Sequence, residues 1–190
     1  MELSNAVHSL PLDVSFDGRD ITLHPVAVET HRGPLLLDVG MPDGVATLAD
    51  ALGEEGLTLD DVWAVVATHQ DLDHVGCLGA VVERTGATVF AHEADAPSIE
   101  GSKDLLKVDD DARSAFEPTP VDVRLVGGEA FSTAAGPMQA VPTPGHTPGH
   151  TSYYFPDAEL LVTADALNVV DGELVGPRED ATPGLDAAWE

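Results

Sequence analysis

The stretch HQDLDH, His69 to His74, follows directly on the apolar run VWAVVAT, and four of its six side chains can bind a metal ion or move a proton. In an extended or loosely turned loop, His69, Asp71 and Asp73 point the same way while His74 stands on the neighbouring face. One short segment thus offers ligands to two adjacent positions. Imidazole and carboxylate together suit Zn, Fe or Mn, and with no thiolate nearby a cysteine-based structural site is excluded. The plain alternative is a histidine that caps a strand beside aspartates of a generally acidic surface.

Matching parts occur further along the chain. In PTPGHTPGH (142–150) Pro and Gly fix a tight turn that holds His146 at the end of a strand, and His150 repeats the pattern four residues later. Asp165 ends the apolar run LLVTA, and Asp38 stands after LLL in LLLDVG. Each is a charged group placed where a buried strand stops. So many imidazole and carboxylate groups at strand ends exceed what an acidic coat supplies by chance.

Taken in order, THQDLDH, TPGHTPGHT and LLVTAD resemble the metallo-β-lactamase superfamily of metal-dependent hydrolases. Its pattern runs H-x-H-x-D-H after a strand, then a His in a PGH turn, then an Asp after a strand, then a last His. LLLDVGMPDG is similar to the family's early strand ending in D-x-G, and PGHTPGH is most similar to the lactonase and glyoxalase II type branches. The resemblance covers nearly the whole chain. It implies an α/β (α+β) fold, a four-layer αββα sandwich formed by residues 1–190 as one domain. It implies that His69, Asp71 and His146 hold one metal, that Asp73 and His74 hold the second, and that Asp165 bridges them. Asp38 and His150 are then the groups behind the ligands that orient them. The cofactor implied is Zn, one or two ions, with Fe or Mn as alternatives. A metal-bound hydroxide would cleave an ester, thioester, lactone or lactam carbonyl of a small-molecule substrate, with Asp73 as the catalytic group that accepts or orients the water proton.

The chain departs from the family pattern twice. Asp71 stands where the second motif His belongs, which exchanges a neutral nitrogen ligand for an anionic oxygen one and leaves the first metal's identity open. No His follows His150, although the family's last ligand lies beyond the Asp matched by Asp165. The closing TPGLDAAWE resembles the opening turn of the helix that precedes that ligand, so the expectation is a C-terminally truncated domain with a weak second site. The competing reading is a di-iron redox or non-catalytic, decayed-site member of the same fold. Metal content separates the two.

The elements that must carry these groups can be read around them. ITLHPVAVE (21–29) and PLLLDVG (34–40) read as two strands joined by a turn, and DGVATLADAL (43–52) as a helix stopped at Gly53. VWAVVAT, then a helix over 76–86, then ATVFAH (87–92) form a βαβ unit with the ligand-rich loop at the carboxyl end of its first strand. Residues 93–120 are polar and patternless, a loop with short helix that can serve as a lid over the site. VDVRLV (121–126), MQAVPTP (138–144), TSYYFP (151–156) and ELLVTAD (159–165) return the chain to β structure. His92 reads as a solvated loop residue, Cys77 as a small core residue, and His8, His24 and His31 receive no role.

Composition narrows the partners. The chain has 34 acidic residues against 8 basic ones, a formal charge of -26, and its only lysines are Lys103 and Lys107. Such a surface repels nucleic acid and anionic membranes and matches a halophilic adaptation to molar salt. Because 21 residues are Asp, a lone Asp carries little meaning here. The N-terminal MELSNAVHSLPLDV has neither a basic start nor an apolar segment, so the expectation is a cytoplasmic protein. Oligomeric state is not readable.

Overall fold

A computed structural model describes residues 1–16, 18–170 and 172–190. Strands β1 (Glu2–Ser4) and β2 (Val7–Ser9) come first, then a hairpin of β3 (Leu12–Phe16) and β4 (Arg19–Leu23), then β5 (Val26–Thr30) and β6 (Gly33–Leu37). Helix α1 (Val45–Glu54) leads to β7 (Ala64–Val66), and helices α2 (Leu72–Val75) and α3 (Leu78–Thr85) lead to β8 (Thr88–His92). Short helices α4 (Ala96–Ile99) and α5 (Asp110–Ser114) precede β9 (Val123–Leu125). The remaining strands are β10 (Ala130–Thr133), β11 (Gly136–Pro142), β12 (Thr151–Phe155), β13 (Leu160–Val162), β14 (Asn168–Val170) and β15 (Glu173–Val175), and α6 (Leu185–Ala188) follows them.

Seven strands form one sheet in the order β1-β2-β5-β6-β7-β8-β9, antiparallel as far as β6 and parallel from there on. Strands β10 to β13 form a second, antiparallel sheet. The period of two along each central strand assigns its side chains to two cores. Leu36 and Val65 point toward α1 and α3, while Leu35, Leu37, Ala64 and Val66 face Met138, Ala140, Tyr153 and Phe155 of the second sheet. Both faces of β6 and β7 are covered, which is why these segments read as unbroken apolar runs. Leu36 is fully buried, so Leu36→Ala would cost about 2–5 kcal/mol. On the outer face of the second sheet the helical layer is, among the described residues, the single turn α6, which shares a groove with Ser152 and Leu161.

Several sequence expectations are corrected. Residues 21–29 are not one strand: Pro25 has no N–H to donate and divides them into β4, paired with β3, and β5, in the main sheet. Helix α1 runs through Gly53 to Glu54. The helix expected over 76–86 is α3 alone, opening at Leu78 and closed by Gly86 in the left-handed region. Strands β1 to β3, β10, β14 and β15 were not anticipated; they are short and mostly lack the apolar runs that mark the central strands. Among the described residues no helix is long and apolar enough to cross a membrane.

Candidate metal centre

The parallel strands β6, β7 and β8 all end on one edge, and the turns that follow them carry Asp38, the run His69–His74 and Asp95. Asp38 has a φ of 64°, a conformation costly for a residue with a Cβ, and it aims its carboxylate back over the end of β7. There Asp38 Oδ1 accepts the Thr68 N–H (2.8 Å), and Oδ2 lies 2.7 Å from the Thr68 hydroxyl and 2.8 Å from His74 Nδ1. The Thr68 oxygen in turn lies 2.9 Å from His69 Nδ1. With the hydroxyl donating to Asp38, His69 donates from Nδ1, which leaves the Nε2 lone pair bare. One carboxylate therefore fixes the orientation of both imidazoles, directly for His74 and through Thr68 for His69.

The loop is tighter than a strand-like reading allows. Asp71 is the N-cap of α2, and its carbonyl accepts the His74 N–H at 2.9 Å and the Val75 N–H at 3.0 Å. Asp73 and His74 are therefore successive residues of a helical turn. His74 faces inward, whereas the Asp73 side chain is 40% exposed and its Oδ2 stands 3.8 Å from His74 Nε2.

His146 comes from the turn between β11 and β12. Gly145 has a φ of 137°, and a Cβ there would lie 2.4 Å from that of Ala188, so the turn needs glycine twice over. The turn is pinned to the first loop by Thr151 N–H donating to the Thr68 carbonyl at 2.9 Å. His146 Nε2 lies 2.8 Å from Asp71 Oδ2 and 3.3 Å from Asp165 Oδ2, and the other Asp165 oxygen lies 3.3 Å from His74 Nε2. Asp165 sits in a single 3-10 turn after β13, preceded by Ala164 at a φ of 43°. His150, fully buried, lies behind it: Nε2 accepts the Asp165 N–H at 3.2 Å and Nδ1 is 2.9 Å from the Thr143 hydroxyl.

Two groups with ligand-type atoms within 4.8 Å of one another result: His69, Asp71 and His146, and His69, His74 and Asp165. His69 belongs to both, Asp165 spans the space between His74 and His146, and Asp73 stands just outside. The fit to a cation is tested by the buried atoms that lack partners: His69 Nε2 and Asp71 Oδ1 are both buried and make no hydrogen bond. An unpaired acceptor in that position is costly unless a cation completes it.

The local field agrees. Burial pushes the Asp71 carboxyl up, but the neighbouring His146, His69 and Lys107 outweigh it and hold it well below the usual range. Asp165 is likewise pushed up by burial and brought far down by His74, His69 and His146. Burial disfavours a charged His74, yet Asp38 and Asp165 raise it well above an ordinary histidine. Burial and the neighbouring His69 and His146 push His150 down to about 3. Burial pushes the Cys77 thiol up to about 12, so it is an unreactive core group.

The sequence did not point to two residues here. The Lys107 ammonium lies 2.8 Å from His146 Nε2 and pairs with Asp71 Oδ2, which brings the 93–120 segment onto the site. Asp95 is buried beneath both ligand loops. His92 is not in the site: its Nδ1 accepts the Ala94 N–H. A cavity of about 590 Å³ opens beside His74, Asp73 and Asp165, walled by Leu23, His24 and Leu160 among others. A smaller one of about 210 Å³ lies beside Asp71 and Lys107.

A model of the metallo-beta-lactamase superfamily matches residues 25–190. A probable metallo-hydrolase of Bacillus subtilis (strain 168) is 25% identical over 215 aligned positions, covering 100% of this chain and 78% of its own length. A hydroxyacylglutathione hydrolase of Brucella ovis is 30% identical over 142 residues, 75% of this chain, of which this chain spans 46%. Among solved structures, a subclass B3 metallo-beta-lactamase of Bradyrhizobium japonicum superposes with a TM-score of 0.68 at 23% identity, over 92% of this chain and 58% of that one. A metallo-beta-lactamase of Cronobacter sakazakii with a HARLDQ motif gives 0.67 at 23%, over 80% and 58%. At that identity the structures speak for the fold alone.

Proposed function

Since the chain belongs to the metallo-beta-lactamase superfamily, we propose that it is a metal-dependent hydrolase acting on the carbonyl of a small-molecule ester, thioester, lactone or lactam. The observation that carries this reading is the convergence of His69, Asp71, His74, His146 and Asp165 around two buried acceptor atoms that no protein group completes. His69, Asp71 and His146 would hold one ion, His74 and Asp73 a second, and Asp165 would reach both. The mix of imidazole and carboxylate suits zinc, and the extra carboxylate of Asp71 also suits the harder ions of iron or manganese. When bound, such ions bring the pKa of a shared water to near 7 and polarise the substrate carbonyl.

The protein's own groups do the rest. Asp38 holds His74 and, through Thr68, His69, so the imidazole lone pairs face inward without rotating. Asp73, half-exposed beside the larger cavity, would accept or orient a water proton. The larger cavity, walled by Leu23 and Leu160 as well as His24, would receive the part of the substrate away from the carbonyl. The relatives named hydroxyacylglutathione hydrolase and the PGHTPGH turn support the lactonase or glyoxalase II type branch over a lactamase.

Asp71 keeps a second reading open, a di-iron redox or non-catalytic protein of the same fold, because an anionic oxygen ligand favours harder ions. Zinc-loaded protein assayed against one member of each carbonyl class, beside metal analysis of the protein as isolated, tests both. The expected result is hydrolysis of at least one class. A fully loaded protein that cleaves none of them overturns the hydrolase reading, and bound iron with visible absorption replaces it with the redox one.

A further inference from the structure

Asp95, which follows β8 at the head of α4, is 1% exposed and forms no ion pair among the described residues. Its carboxylate instead accepts four hydrogen bonds. Oδ1 takes Gln70 Nε2 (3.1 Å) and the Gly149 N–H (2.8 Å), and Oδ2 takes the Gln70 N–H (3.1 Å) and the Thr147 hydroxyl (2.5 Å). Gln70 lies between His69 and Asp71, and Thr147 and Gly149 lie between His146 and His150. Gln70 Oε1 passes the connection on by accepting the Leu106 N–H at 3.0 Å, one residue from Lys107. The second glycine of PGHTPGH is required by this same contact, since a Cβ on Gly149 would lie 2.8 Å from Asp95 Cγ.

We propose that Asp95 is a positioning residue of the metal centre: by clamping Gln70, Thr147 and Gly149 it fixes the spacing of His69 and Asp71 against His146. The inference rests on the hydrolase reading for what the spacing is used for. An anion buried without a cation is unfavourable unless donors replace its water. Here every donor comes from the two ligand-bearing loops, and two of the four are main-chain N–H groups that set the path of the backbone between ligands. A carboxylate that merely capped α4 would bond to the helix's own N–H groups, and α4 receives no side-chain cap.

The test uses the full chain as wild type, Asp95→Asn, Asp95→Ala, Thr147→Val, Gln70→Ala and, on the exposed neighbour, Glu93→Ala. Zinc affinity by competition titration, the visible spectrum of cobalt-substituted protein and thermal unfolding are measured on each. Both Asp95 variants should weaken the tighter zinc equivalent by about tenfold or more, the range for losing a group that orients ligands, and should change the cobalt spectrum. Thr147→Val and Gln70→Ala should shift both in the same direction by less, and Glu93→Ala should match wild type. A folded Asp95→Asn with wild-type affinity and spectrum overturns the proposal. If neither Asp95 variant folds, Thr147→Val and Gln70→Ala decide it, and wild-type behaviour in both overturns it. A wild type that binds no ion fails the hydrolase reading instead. Hydrogen exchange then tests the clamp by itself: faster exchange in 68–72, 104–107 and 146–150 together supports it, and a change confined to the region of residue 95 overturns it.

Discussion

The two candidate ion positions share His69 and are spanned by Asp165, but they differ in how their other groups are held and how far they are open. In the first, the side chains of His69, Asp71 and His146 are at most 12% exposed and stand on loops braced by Asp95. In the second, His74 is secured by Asp38, but Asp165 is 36% exposed on a single 3-10 turn, and the cavity opens beside it. Coulomb attraction strengthens as water is withdrawn, so equal ligand charge buys more affinity in the first position than in the second. A closed position suits an ion that stays, and an open one suits an ion that meets substrate.

The most severe way to break this comparison is His69→Ala. Both groups lose their common ligand, and the expected result is less than about a hundredth of wild-type zinc affinity, beyond the 10 to 100-fold typical for a merely orienting group. Metal content by mass spectrometry checks it, and one tight equivalent surviving would dissolve the shared centre. His74→Ala and Asp71→Ala then separate the positions. The former should abolish only the weaker equivalent in a zinc titration and the latter the tighter, and identical curves for the two variants would mean that there is only one site.

Asp38→Ala is expected to weaken the second position about 10 to 100-fold and the first by less, because it holds His74 directly and His69 only through Thr68. The His74 ring in metal-free protein should then titrate closer to an ordinary histidine by NMR. Equal losses at both positions would remove the distinction.

Acid probes the shared wall behind Asp165. The His150 pKa is depressed on folding, from 6.5 to about 3, so its contribution to stability is complete above pH 6.5 and is lost as pH falls toward 3. Between pH 6.5 and 4.5 the metal-free protein should lose roughly 2–3 kcal/mol, two pH units at about 1.4 kcal/mol each. Over that window His74, raised on folding, is at full contribution, and Asp71 and Asp165, held low, begin to lose theirs only below about pH 4. Urea denaturation of His150→Gln should show that slope flattened; an unchanged slope would assign it elsewhere. The smallest effect expected is that of salt. Raising it from about 0.1 to 1 M shrinks the screening length from about 10 to 3 Å, which should lower the open position's zinc affinity a few-fold and leave the closed one alone. In the same series, a melting temperature that rises with salt would support a halophilic role for the 34 acidic residues, and a flat one would count against it.

What was legible in the sequence is what chemistry forces into a local pattern. HQDLDH and PGHTPGH stand out because such side chains are crowded into one short loop or one tight turn, and the strands that lead to Asp38 and to His69 stand out because β6 and β7 are covered on both faces. The role of Asp95 was not legible, since it is one of 21 aspartates and its meaning arises only when two distant loops close over it. Lys107 left one trace, its rarity as one of two lysines in so acidic a chain. The division at Pro25 was written in the sequence, but its consequence, two strands in different sheets, depends on pairing partners far away.

Lys107 carries a consequence for how firmly the 93–120 segment is held. Its ammonium sits against Asp71 and His146, on a residue whose φ of 60° is itself unfavourable. The strap that carries Lys107 is thus held to both ligand loops by charge as well as by the hydrogen bond from Leu106 N–H to Gln70, two tethers on one short segment. Lys107→Met removes the first tether and keeps the second, so hydrogen exchange over 104–107 should quicken while that of the strands beneath stays as it was.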